Sequence, residues 1–263
     1  RHFDEVAAEI EGAHNRGLLV NLYLEDWSNG MRNSFAYVYE FLNRLQGLPV
    51  ERIMLPDTLG ILDPEETATY FEWIYRAFPH LRLDFHGHND YGVVTANSLA
   101  AVRAGVNGIH NTINGLGERT GNQPLAQLAV TVHDMTSRRT RIVEKELQHA
   151  SEIVQNISGK RCAWNMPVVG ADVFTQTCGV HADGDKKGNL YANRLLPERF
   201  GRHRNYALGK LSGKASLEQN LEALGLELSP EVRQKVLAEV IRLGDRKKNV
   251  SPSDLPFIIA GVL

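Results

Sequence analysis

Only two cysteines, Cys162 and Cys178, occur in 263 residues. They form no close pair, so no disulfide framework is expected and a reducing cytoplasm is the natural compartment. No apolar run approaches the length that spans a bilayer, and no charged-then-apolar leader opens the chain. Charge of one sign is also lacking: 29 Lys and Arg stand against 31 Asp and Glu, a formal net of −2. That balance gives no electrostatic reason to expect nucleic acid or a membrane surface as a partner. Low-complexity tracts, short repeats and an initiator Met are all missing. What remains is an ordinary globular composition, with a length that suits one α/β barrel or two smaller domains.

The hydrophobic pattern supplies the order. Phe3, Val6, Ala7 and Ile10 follow helical spacing up to Gly17. Leu18 to Leu24 is a continuous apolar run of the kind found in buried parallel strands. Phe35, Val38, Leu42 and Leu45 then mark one face of a helix closed by Gly47. A second strand runs from Arg52 to Leu55. Asp63-Pro64-Glu65-Glu66 predicts a helix start, with Asp as cap, Pro at the first position and Glu at the third. A third strand alternates Leu81, Leu83 and Phe85 with Arg82, Asp84 and His86. A helix follows to Gly105, then a fourth strand from Val106 to Ile113 and a helix starting near Gln123. Strand–helix alternation of this kind predicts a parallel sheet with right-handed crossovers. Beyond residue 140 the pattern becomes mostly helical: Leu147 to Ile157, a loop-rich stretch from Cys162 to Ser212, then helices over 216–224 and 229–243 and a last one opened by Ser251-Pro252-Ser253-Asp254.

Every polar cluster in the first half follows a strand: Glu25/Asp26, Asp57/Thr58, His86/His88 and Glu118/Asn122. In α/β barrels that end of the sheet carries the active site. His86 and His88 sit two residues apart, so on a strand both imidazoles point to one face and suit a divalent transition metal. Taken alone, such a pair is also compatible with a polar strand end bearing surface histidines.

His86-Gly87-His88-Asn89-Asp90, followed by Asn114-Gly115-Leu116-Gly117-Glu118-Arg119-Thr120-Gly121-Asn122, resembles the signature of the 2-isopropylmalate synthase and homocitrate synthase family, within the DRE-TIM metallolyase group. Asn165 to Gly170, Thr177 to Gly184 and Leu208 to Lys214 resemble that family's subdomain motifs. The resemblance implies a (β/α)8 TIM-barrel fold of which only the last four β/α units are present, followed by a mostly helical subdomain. Residues 1–139 would be the C-terminal half of the barrel, and residues 140–263 the linker and subdomain. It implies an acyltransferase that condenses acetyl-CoA with a 2-oxo acid and releases CoA, 2-isopropylmalate synthase-like and serving amino-acid biosynthesis. The alternatives are a homocitrate or citramalate synthase, a related 3-hydroxyacyl-CoA lyase, or an inactive fragment that only dimerises.

The resemblance also assigns residues. His86, His88 and Asn122 would hold a divalent Mn, Mg or Zn ion, although Asn122 also reads as a plain helix cap. Glu25 matches the catalytic carboxylate, Thr58 a residue binding the oxo acid's carboxylate, and Glu118 a pocket residue beside the metal. Glu118 and Arg119 also read as an ion pair shaping the glycine-rich loop. His181 and Tyr191 match an acid/base pair that the family brings in from the partner subunit of a homodimer with exchanged subdomains; Tyr191 also reads as a packed tyrosine. His110, His133, His149 and His203 are expected to be structural. The family's first-strand motif, with its Arg and metal-binding Asp, has no counterpart here, and nothing near Leu263 resembles a leucine-feedback domain. The chain is therefore expected to be part of a longer protein.

Overall fold

The computed structural model describes residues 1–176, 184, 188, 190, 193–246 and 250–263. The chain divides into two compact units, one of Arg1–Glu144 with His149–Lys160, the other of Lys145–Gln148 with Arg161–Leu263.

The first unit alternates α1 (His2–His14), β1 (Val20–Tyr23), α2 (Trp27–Asn33), α3 (Phe35–Leu45), β2 (Val50–Asp57), α4 (Pro64–Ala77), β3 (Leu83–Gly87), α5 (Val94–Ala104), β4 (Gly108–His110) and α6 (Leu125–Met135), with α7 (Leu147–Ser158) beyond. The strands form one parallel sheet in chain order, β1-β2-β3-β4. This is the sequential order of a (β/α) barrel wall, and β1 and β4 stand as its two open edges. Leu55, Leu83 and Phe85 are fully buried against Phe71, Ile74, Phe78 and Leu42 from the helices. Phe71 meets Phe85 edge-on at 5.7 Å. Burying each such side chain is worth about 1.5–3 kcal/mol, so one face of every strand is committed to the helices and the other is left for polar work.

Local signals behave as the chemistry requires. Asp63 accepts the amide of Glu66 at 2.8 Å while the Glu66 carboxylate accepts that of Asp63, a reciprocal cap at the start of α4. Gly105, at φ 108°, ends α5 by donating to Ala101 and Val102, a left-handed stop that suits glycine.

Three expectations need correction. The run Leu18–Leu24 is not buried throughout: only Val20–Tyr23 pairs, and Leu18 and Leu19 are 58% and 79% exposed. β1 has a neighbour on one side only, so its apolar run lacks the cover a central strand receives. The helix α2 was not foreseen; it starts where Asp26 adopts φ 55° and receives the Asn29 amide at 3.0 and 3.1 Å, burying Trp27 and Met31. Asn122 does not cap α6, which begins at Leu125.

In the second unit, β5 (Thr175–Gln176) and β6 (Asn205–Tyr206) form a short parallel pair that the sequence did not announce. Then come α8 (Lys214–Ala223), α9 (Pro230–Asp245) and α10 (Leu255–Val262). Leu217, Leu221, Val236, Val240 and Leu255 make their common core. The Arg202 guanidinium donates to the carbonyls of Val168, Gly170 and Ala171 and lies over the Phe174 ring. It thereby pins the loop carrying Asn165–Gly170. Among the described residues no helix is long and apolar enough to cross a membrane.

Candidate active site

Side chains two apart on a strand share a face, so β3 presents Asp84, His86 and then His88 to the side of the sheet away from Phe85. The His86 and His88 Nε2 atoms lie 3.2 Å apart. Their Nδ1 atoms are buried and have no hydrogen-bond partner among the described residues. Burial, then the charges of His88 and His110, pull the His86 pKa down to about 4, so the ring is neutral and its lone pair is available at ordinary pH.

The glycine-rich loop after β4 brings Asn122 to His88. Asn122 pairs with His88 through an isolated antiparallel bridge, and its amide nitrogen donates to the Leu116 carbonyl at 3.1 Å. Oδ1 is left as a buried acceptor with no partner among the described residues. Two glycines make this possible. A Cβ on Gly117 would lie 2.3 Å from the Asn122 amide nitrogen, and one on Gly121, at φ +90°, would lie 1.9 Å from the Gly115 carbonyl oxygen. Two imidazole nitrogens facing one another beside an orphaned amide oxygen form a donor set that a divalent ion fits.

Glu25 and Thr58 meet at the ends of β1 and β2. The Thr58 hydroxyl donates to Glu25 Oε1 at 2.8 Å and accepts the Asp26 amide at 3.0 Å. Thr58 thus holds the carboxylate in place, and Glu25 is close enough for its charge to act on His86. Asp57, fully buried, accepts the amides of Ile61 and Leu62 and shapes the turn that presents Thr58.

Arg119, at φ 52°, makes a two-pronged ion pair with Asp90 at 2.8 and 3.0 Å and donates to the Thr58 carbonyl at 2.7 Å. It ties together the loops after β2, β3 and β4, and its hydrogen bonds, then its charge, hold the Asp90 carboxyl below the usual range. Glu118 sits only 3.4 Å from the Arg119 guanidinium with its side chain 83% exposed. The main ionic partner of Arg119 is therefore Asp90.

A third layer lies deeper and was missed by sequence reasoning. Asp84, 3% exposed, accepts both its bonds from Arg52 Nη1 at 2.7 Å. The His110 Nε2 stands 3.6 Å from the same carboxylate, and its Nδ1 is hydrogen-bonded with the Tyr23 hydroxyl at 2.6 Å. His110, taken as merely structural from the sequence, is in register with His86. That register brings the pair to one place, and no sequence-level signal announced it. His181 and Tyr191 lie outside the described residues.

The HMGL-like family profile matches residues 1–154, and the homocitrate synthase post-HMGL domain-like profile matches residues 168–248. A putative (R)-citramalate synthase of Methanopyrus kandleri is 34% identical over 97% of this chain and 50% of its own length. A probable 2-isopropylmalate synthase of Ignicoccus hospitalis is 33% identical over 97% of this chain and 63% of its own length. A homocitrate synthase of Saccharolobus islandicus is 34% identical over 89% of this chain and 50% of its own length. The chain thus spans about half the length of the citramalate and homocitrate synthases it matches. Among solved structures, the hydroxymethylglutaryl-CoA lyase of Pseudomonas aeruginosa superposes with a TM-score of 0.53 at 18% identity, over 65% of this chain and 59% of that one. The HMG-CoA lyase of Bacillus subtilis gives 0.51 at 19%, over 58% and 54%; at these identities the likeness speaks for the fold alone. With its paired imidazoles, its glycine-cradled asparagine and its sequential parallel sheet, this chain belongs to the HMGL-like family, in the DRE-TIM metallolyase group.

Proposed function

We propose that the protein of which this chain forms part is an acyltransferase that joins acetyl-CoA to a 2-oxo acid. One observation carries the reading: His86 and His88 Nε2 face one another at 3.2 Å, with the orphaned Asn122 Oδ1 delivered by the same loop system and Glu25 close by. His86, His88 and Asn122 would hold a Mn, Mg or Zn ion. When bound, the ion supplies Lewis-acid polarisation of the acceptor's keto group.

Residues of this chain would provide part of the remaining chemistry. Glu25, fixed through Oε1 by Thr58, is the described carboxylate suited to take the methyl proton of acetyl-CoA. The methyl carbon then bonds to the keto carbon, the keto oxygen gains a proton, and water cleaves the thioester to free CoA. His181 and Tyr191 would share the proton transfers, acting from the second subunit of a homodimer. Arg119 keeps Thr58 in position through its carbonyl, and Glu118 would stand at the pocket's rim.

The acceptor's identity turns on the part of the pocket beyond the shared 2-oxo-carboxylate. An apolar pocket distinguishes acceptors by only about 1–3 kcal/mol per methylene. The test is thiol release from acetyl-CoA by the full-length protein with oxoisovalerate, pyruvate and 2-oxoglutarate, each with Mn and Mg. Release with one acceptor, reduced about 10²–10⁴-fold in Glu25→Gln, is the expected result. No release with any 2-oxo acid, together with cleavage of a 3-hydroxyacyl-CoA, would replace this reading with a lyase.

A further inference from the structure

A histidine that binds a metal ordinarily donates its second ring N–H to a carboxylate, a carbonyl or a water, and that bond fixes the ring's orientation. His86 departs from the pattern. Its Nδ1 is buried and unpartnered among the described residues. Something else must keep Nε2 aimed.

Two rings are in place to do so. Tyr23 meets His86 edge-on, centroids 6.0 Å apart at 76°. His110 meets it at 5.6 Å and 68°. The two also meet each other at 5.6 Å and 60°, so three rings form a closed edge-to-face triangle, a favoured aromatic geometry. The triangle is anchored from below. The Tyr23 hydroxyl is bound by His110 Nδ1 at 2.6 Å, His110 Nε2 faces Asp84, and Asp84 is held by both bonds from Arg52. The anchor draws on all four strands: Tyr23 from β1, Arg52 from β2, Asp84 from β3 and His110 from β4.

We infer that Tyr23 and His110 are positioning residues that orient the metal-ligating ring of His86 by packing, in place of the hydrogen bond its Nδ1 lacks among the described residues. The inference rests on the metal reading above but not on the identity of the reaction. It assigns the ring of Tyr23 the aiming role and its hydroxyl the lesser task of fixing that ring to His110.

The test is Mn²⁺ binding, read by electron paramagnetic resonance on chelator-stripped full-length protein, with the visible spectrum of the Co²⁺-loaded form as a second readout. Tyr23→Ala should weaken Mn²⁺ binding about tenfold or more, the usual effect of losing a partner that orients a ligand, and should shift the Co²⁺ bands. Tyr23→Phe, which restores the ring without the hydroxyl, should recover both, a rescue that a general loss of packing would not give. If Tyr23→Ala does not fold, Tyr23→Leu makes the same comparison against Tyr23→Phe. Parent-like Mn²⁺ affinity and Co²⁺ bands in the ring-less variant would overturn the inference, as would equal loss in Tyr23→Phe. His86→Ala separates the two levels. If it too binds Mn²⁺ like the parent, the metal reading itself falls and the inference with it; if it abolishes binding while Tyr23→Ala does not, only the inference falls.

Discussion

Gly121→Ala is the substitution for which the structure sets the firmest expectation. Gly121 has φ +90°, outside the range that a residue with a Cβ occupies comfortably, and the added carbon would lie 1.9 Å from the Gly115 carbonyl oxygen and 3.1 Å from its carbon. Both are backbone atoms, so no side chain can swing aside. Relief requires moving the loop, and three backbone hydrogen bonds depend on its path: Gly121 to Glu118 at 2.8 Å, Asn122 to Gly115 at 3.0 Å and Asn89 to Gly121 at 3.0 Å. A left-handed non-glycine residue costs about 1–2 kcal/mol. With overpacking and a weakened backbone bond added, the total is on the order of 3–5 kcal/mol, the exceptional end for one substitution. Gly92→Ala is the control, because Gly92 also has a positive φ (+74°) but nothing within 4 Å of its would-be Cβ; it should show the conformational cost alone. Urea unfolding of the two variants beside the parent, with Mn²⁺ titration of each, covers both ways the strain can be relieved. Either the fold loses stability, or the loop shifts and Asn122 leaves the site. A Gly121→Ala protein within about 0.5 kcal/mol of the parent and with unchanged Mn²⁺ affinity would refute the reasoning, since that margin is what an indifferent surface change produces.

Three further expectations follow from the same contacts. Asp84→Ala strands the Arg52 guanidinium; breaking a fully buried pair costs about 3–5 kcal/mol, and because Arg52 is a third exposed a loss of about 2–3 kcal/mol in urea unfolding is expected. Asp63→Ala removes the reciprocal cap of α4 and should cost about 1 kcal/mol by the same assay, with metal binding untouched. For Asp90, the folded carboxyl is held below its ordinary value of 3.8 by Arg119. Its ionised form therefore stabilises the protein above that value, and the contribution disappears as pH falls through the lower folded value. The stability gap between the parent and Asp90→Asn, followed by thermal melts from pH 6 downward, should accordingly close below about pH 4; a constant gap would show that the ion pair carries no such linkage.

Much of this was legible in the sequence because it is periodic or local. The alternation of Leu83 and Phe85 with Asp84 and His86 fixes which residues of β3 face the helices. The Asp63 cap needs only its neighbours three residues away. His86 and His88 are brought together by strand period alone. What escaped is what depends on distant partners. The helix α2 is one short element launched by a single left-handed residue, Asp26, and carries too little period to be seen. Arg119 pairs with its neighbour Glu118 at 3.4 Å, yet its main ion pair is with Asp90, 29 residues earlier, because the loop's turn carries the guanidinium toward β3. Tyr23 and His110 are 87 residues apart, and nothing in either segment announces the other.

The deepest layer also explains why a charged pair with a buried carboxylate lies beneath the histidines at all. Such pairs are poor sources of stability compared with apolar side chains of the same volume, so Asp84 and Arg52 are better understood by what they forbid. In a parallel sheet a slip of one residue reverses every side chain. On β3 that slip would turn Phe85 away from Phe71 and into the polar side, and would send Asp84, His86 and His88 together into the helix-packed core. Leu83 and Phe85 resist it through their burial. Asp84 adds a polar veto, since in the helix-facing layer it would lose Arg52 and His110 at once. The neighbouring strand is cut to fit: a Cβ on Gly108 would lie 2.7 Å from Asp84 Oδ1, so β4 seats against β3 only where it offers a glycine. The same carboxylate that fixes the register of β3 also faces His110, and through it Tyr23. Register and aim are therefore set by one group: the strand cannot be correctly paired without Asp84 in the interior, and with Asp84 there the rings beside His86 are already anchored.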